Sequence, residues 1–159
     1  MKNRLEQLFL QCGRNGRPML IGDDIVLYPQ AYDGCDKRMG GAKIFVFDIL
    51  EKSTYHTAGE IALRIGEDRS LYYLGHIGYH IDKPYRGHGW AAQACKLCYP
   101  FFRRMNMNSL CITTDPDNTA SRKTCEHAGG LLEATVPVPA DIQKLFLISK
   151  TKCRYIVSI

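Results

Sequence analysis

Pro84-Tyr85-Arg86-Gly87-His88-Gly89-Trp90-Ala91 is the stretch on which the reading of this chain turns. The alternating run Ile77-Gly78-Tyr79-His80-Ile81 comes before it and an amphipathic run comes after, so it lies where a strand becomes a helix. Its two glycines let the backbone curl tightly and let a ligand approach without Cβ obstruction. The first helical turn then directs unpaired N–H groups and the positive end of its dipole at one spot. Such a spot suits a phosphate or another anion.

Working outward, Trp90, Ala94, Leu97, Cys98, Phe101 and Met105 recur at three- and four-residue spacing and predict a helix over 88–105 with one buried stripe. Pro100 inside it should kink that helix or end its regular part early. Upstream, three runs read as strands: 42–49, rich in β-formers; 60–65, with Ile61, Leu63 and Ile65 on one face; and 72–81. Their short connections favour an antiparallel meander. Further upstream, 25–28 reads as a first strand, 29–41 as connection, and 3–12 as a short helix followed by a loop over 13–18. Downstream, 110–114 is a strand, and Asp115-Pro116-Asp117-Asn118 is a turn with N-cap candidates. A helix over 119–128 is closed by Gly129-Gly130, and strands follow over 132–138 and 153–159. The order predicts an α/β domain with a mixed, largely antiparallel central sheet flanked by helices.

At 159 residues the chain reads as one domain, 1–159, large enough for a real core. No apolar run approaches the roughly 18 residues a membrane span needs. The segment Leu5–Leu10 is too short and too interrupted for a signal peptide, so a cytoplasmic protein is expected. Seven scattered cysteines, an odd number, argue against a disulfide framework. Cys95-x-x-Cys98 falls in a helical pattern without a second pair, which favours packing over metal binding, and no metal is expected. A net charge of +5 without a basic tract gives no footprint for nucleic acid.

The glycine turn has rivals. No Gly-Lys-Ser/Thr follows it, which disfavours a P-loop, and the third glycine of a dinucleotide fingerprint is missing. Gly59-Glu60-Ile61, Ile77-Gly78-Tyr79-His80-Ile81, Tyr85–Ala91 and Asn118-Thr119-Ala120-Ser121 come in an order and spacing that resembles the GNAT superfamily of acetyl-CoA-dependent N-acyltransferases. The closest pattern is the branch that acetylates ribosomal-protein N-termini, and the resemblance covers about residues 58–130. It implies acetyl-CoA as cosubstrate, with the diphosphate on the backbone N–H groups of Arg86, Gly87, His88, Gly89, Trp90 and Ala91. It also implies a pantetheine arm pairing with the backbone near Tyr79 and Ile81, in contact with Asn118 and Ser121.

Three features depart from the family pattern. Pro84 stands where Gln or Arg is frequent, and the segment between the first strands is too short for the helix pair that usually walls the acceptor site. The acceptor side is then open or completed by a second copy in a homodimer. Cys125 stands seven residues after Asn118, where relatives carry a tyrosine that protonates the leaving thiolate; it is either that acid or a packing group. Glu60, His76 and His80 are the base candidates by sequence order, beside a water chain with no dedicated base. Tyr28, Tyr32, Tyr72, Tyr73 and Tyr99 are available to shape an acceptor pocket.

The function expected is transfer of acetyl from acetyl-CoA to a primary amine, small-molecule or peptide, by direct attack in a ternary complex. Two other readings stay open: a CoA-binding sensor with weak or no catalysis, and a nucleotide or polyanion binder.

Overall fold

The structure, a computed structural model, describes residues 20–159. The helix predicted over 3–12 and the loop over 13–18 lie outside the described residues. Eight strands form one sheet: β1 Leu20–Ile21, β2 Ile25–Asp36, β3 Ala42–Glu51, β4 Thr57–Ile65, β5 Ile77–Ile81, β6 Ser109–Thr114, β7 Leu131–Pro137 and β8 Thr151–Ser158. Among the described residues four α-helices accompany them: α1 Arg69–Leu74, α2 Trp90–Arg104, α3 Thr119–His127 and α4 Ala140–Phe146. The strand order is β1-β2-β3-β4-β5-β6-β8-β7, and every neighbouring pair is antiparallel except β5 with β6. The mixed, largely antiparallel sheet and the β3–β5 meander agree with the sequence pattern.

The core lies on one face of this sheet. Phe45, Phe47, Ile49, Ile61, Leu63 and Ile77 point to it by period two, and the stripe Ala94, Cys95, Cys98, Phe101 and Phe102 of α2 packs on them. Phe101 stands edge-on to Phe45, with centroids 4.8 Å apart. That packing explains why α2 continues past Pro100 to Arg104: proline removes one intrahelical bond, and two buried phenylalanines hold the final turn. Cys95 and Cys98 are both fully buried here, as small apolar groups. The opposite face is covered at one end by a small cluster of Met39, Ala42 and Leu71, joined by Ile44, Leu74 and Phe146.

Three segments differ from the sequence reading. Residues 29–36, read as connection, continue β2 along β3 through two bulges, one beside Pro29, which has no N–H for the ladder. The strand read over 72–81 begins only at Ile77, because Asp68 caps a helix: its Oδ2 accepts from the Ser70 N–H at 2.8 Å. Gly75 ends that helix at φ 72°, so close to β6 that a Cβ would lie 2.9 Å from Cys111 O. The third difference is α4, a short helix in a stretch with no predicted element. No helix among the described residues is long and apolar enough to cross a membrane.

Candidate functional site: a cleft between two diverging strands

The parallel neighbours β5 and β6 share a single register pair, Ile77 with Ile112. His76 closes this junction: its N–H donates to Cys111 O at 2.7 Å, and its Nδ1 accepts from the Cys111 N–H at 2.9 Å. Burial holds the His76 pKa down, and its ring serves as the acceptor that pins the two strands together. It therefore has no free position as a base.

Beyond Ile77 the strands part. His76 O accepts from Arg64 N–H and Asp82 N–H donates to Ala58 O, so the even-numbered main-chain groups of β5 face β4. Those of Tyr79 and Ile81 consequently face the gap. Across the gap stands the start of α3, capped by Asn118, whose Oδ1 accepts from the Ser121 N–H at 3.0 Å. The Asn118 side-chain N–H groups are then the donors it can offer the cleft.

The glycine turn closes one end of this gap. Gly87 and Gly89 have φ of 88° and 73°, and a Cβ on either would meet nothing within 4 Å. What demands glycine is the left-handed backbone, and the space in front is open. Pro84 sits in the first turn of a short 3-10 segment, Lys83–Tyr85, where its missing N–H costs nothing. In α2 the Gln93 N–H reaches back to Gly89 O at 3.1 Å, so the N–H groups of Trp90, Ala91 and Ala92 have no intrahelical acceptor. Arg86 locks the turn to β5 by donating from Nε to Ile81 O at 2.8 Å.

The cavity so formed, about 300 Å³, is lined by Tyr79, His80, Ile81, Tyr85, Arg86, Gly87, Gly89, Trp90, Ala91, Asn118, Ala120, Ser121 and Thr124. Nine of the ten residues that the family resemblance implies for cofactor binding are among them. The tenth, His88, is outside; its ring lies 5.2 Å from that of Trp90. Tyr85, to which the motif gives no role of its own, stacks on Trp90 at 5.8 Å and joins the wall.

The catalytic candidates separate. Cys125 is fully buried behind the wall, and burial pushes its thiol up to about 11. Its Sγ lies 4.0 Å from Tyr79 Oη, and that hydroxyl is 2.8 Å from Ser121 Oγ. Burial raises the Tyr79 pKa strongly, which keeps the phenol protonated. Glu60 is exposed on β4, between Asp48 and His80 in the strand register, and lines no part of the cavity. His80 does line it, and its Nε2 lies 3.2 Å from Asp82 Oδ1.

A second cavity, about 260 Å³, opens on the other side of the same gap and shares Tyr79, Asn118 and Ser121 with the first. Of the five tyrosines offered for an acceptor pocket, Tyr73 lines it and Tyr28, Tyr32, Tyr72 and Tyr99 do not. The lining residues come from β4, α1, β5, β6, the start of α3 and β8, and the splay of β5 from β6 brings them together.

A family model described as an acetyltransferase (GNAT) domain matches residues 29–130. No curated protein matches the chain. Among solved structures, the microcin C7 self-immunity acetyltransferase MccE in complex with acetyl-CoA and AMP is similar, with TM-score 0.56 and 21% identity. That match covers 73% of this chain and 61% of the other. RimL, a ribosomal alpha-N-protein acetyltransferase, matches with TM-score 0.55 and 20% identity over 73% of this chain and 70% of its own. RimJ of Mycobacterium smegmatis in complex with CoA-disulfide gives TM-score 0.55 and 18% identity, covering 72% and 53%. The chain thus spans about three fifths of the length of MccE.

Proposed function

This chain belongs to the GNAT acetyltransferase family, and we propose that it transfers acetyl from acetyl-CoA to a primary amine bound together with it. The observation that carries the proposal is the cleft itself: a sheet edge without a partner strand, ending on a cradle of unpaired N–H groups. A molecule with an extended amide-bearing arm and a diphosphate matches both parts, and CoA is such a molecule. Acetyl-CoA supplies an activated thioester.

The geometry supports the following roles. The N–H groups of Trp90, Ala91 and Ala92, with the Arg86 cation, hold the diphosphate; each helix-terminus charge interaction contributes about 0.3–1 kcal/mol. Tyr79 offers both N–H and C=O to the arm. Ile81 offers only its N–H, since Arg86 occupies its carbonyl. Asn118 and Ser121 line the opposite wall.

In the transfer a C–N bond forms and the C–S bond breaks. One proton leaves the nitrogen and one reaches the sulfur. We assign proton removal to His80, through water, because it reaches the cavity where Glu60 does not. Departing sulfur meets the Tyr79 hydroxyl, a protonated donor on the wall, while Cys125 supports the ring from behind. The proton that sulfur finally keeps comes from solvent.

CoA affinity by calorimetry, for the native chain and Gly89→Glu, tests the assignment. The variant adds bulk and negative charge in the cradle at a left-handed position, and should lose binding at least 100-fold while keeping its far-UV spectrum. Unchanged affinity in a folded variant removes the cradle from this role. Stabilisation by ATP equal to that by CoA would instead favour the nucleotide reading.

A further inference from the structure

We infer that the acceptor is a small primary amine carrying a carboxylate, of amino-acid size, and that Arg64 binds the carboxylate. The inference rests on the acetyl-transfer reading and adds the substrate class. Its basis is the second cavity, which meets the first at Tyr79, Asn118 and Ser121. A molecule held there reaches the reacting end of the cleft from the face opposite the core, without crossing the space given to CoA. This groove, about 260 Å³, has room for a compact metabolite beside CoA.

The charges around it decide the class. Arg64 lies on β4, and its guanidinium lies against Gly78, where a Cβ would come 2.7 Å from Nη2. Glycine at position 78 is what allows the cation into the cavity floor. Its two hydrogen bonds both leave from Nη1, to Leu74 O and Gly75 O at 3.3 Å each, at the C-terminal end of α1. Neither partner carries a formal charge, and among the described residues no carboxylate pairs with Arg64. Burial disfavours its charged form, yet an arginine stays protonated in proteins.

The carboxylate that lines the same cavity is already committed. Asp115 Oδ1 accepts from Lys152 Nζ at 2.6 Å and from Ser149 Oγ at 2.5 Å. Asp115 and Lys152 cancel, and the cavity keeps the positive charge of Arg64. A half-buried cation facing a cavity with no counter-ion is completed by an anionic ligand. A polyamine would meet repulsion there. The primary amine of the ligand points to Tyr79 and its carboxylate to Nη2 of Arg64, a bond of the stronger, charge-assisted kind.

The test compares matched acceptors on the full chain: free α-amino acids, the corresponding α-amides, and the decarboxylated amines. Thiol release from acetyl-CoA reads turnover, and calorimetry on CoA-saturated protein reads binding. The expected result is a kcat/KM at least tenfold higher for free acids than for amides. Arg64→Met should abolish that preference while leaving CoA affinity unchanged. Arg64→Lys should retain part of it and covers the case in which the Met variant fails to fold. Equal or better turnover of amides or decarboxylated amines by the native chain overturns the inference, whatever the variants do. If no amine is turned over, binding decides: Arg64-dependent binding of amino acids upholds the carboxylate site while removing the catalytic reading. Absence of such binding overturns the inference. Loss of CoA binding alone counts against the cleft assignment and leaves the carboxylate arm to be read on the free protein.

Discussion

Tyr79 occupies a place that its residue type would not announce. It belongs to the core face of β5, paired with Ile61, yet its hydroxyl crosses to α3 and ends beside Ser121 and Cys125. A phenol brought across from the strand thus stands close to Cys125, the helix position where the family resemblance implies a tyrosine. Three substitutions separate the roles. Tyr79→Phe should lower kcat several-fold with CoA affinity unchanged, the loss of one hydrogen bond to developing charge. Cys125→Ala should leave kcat within twofold and cost about 1 kcal/mol of stability, as a small cavity in a packed site. His80→Gln should lower kcat/KM about 100-fold with CoA affinity unchanged. A Cys125→Ala variant slower than Tyr79→Phe reverses the first two assignments, and a His80→Gln enzyme with native rates returns proton removal to water alone.

At the scale of elements, α1 shows how a local cap outweighs composition. Tyr72 and Tyr73 favour a strand by propensity, but Asp68 accepts from both the backbone N–H and the hydroxyl of Ser70 and commits the next six residues to a helix. Those bonds hold the Asp68 carboxyl below its usual range, led by the Ser70 hydroxyl. A depressed folded-state pKa stabilises the fold above the unfolded value and loses that contribution as pH falls through the folded one. Asp68→Ala should therefore cost about 1 kcal/mol at neutral pH, and the difference from the native chain should vanish in acid. Denaturant titrations at several pH values measure it; a gap independent of pH counts against the cap. The meander and α2 were legible because their apolar periods are long and clean, as in Ile61/Leu63 and Trp90–Met105. The continuation of β2 was not, because Gln30, Asp33 and Gly34 are exposed and only the partner strand β3 makes them a strand. The glycine turn was legible because its function belongs to the backbone. The floor of the second cavity was hidden: nothing local to Arg64 or Lys152 signals that the sheet brings them to one space.

Seen as a whole, the sheet is two blocks, β1 to β5 and β6-β8-β7, held to each other within the sheet by the one register pair at Ile77 and Ile112. Such a seam makes cooperativity conditional. Hydrogen exchange should reveal two units of unequal protection in the free protein, with the Tyr79 and Ile81 amides among the fast ones. A ligand that bridges both walls of the gap would fuse them into one folding unit, and at 100 times its dissociation constant would add about 2.7 kcal/mol to stability. Saturating CoA should then slow exchange on both sides of the seam together, and raise the unfolding temperature of both blocks to a common value. Protection gained only at the start of α2 would mean that the diphosphate binds without the arm. The cofactor of this fold would in that sense also be its missing strand, and the concentration of CoA would set how nearly the sheet behaves as a single body.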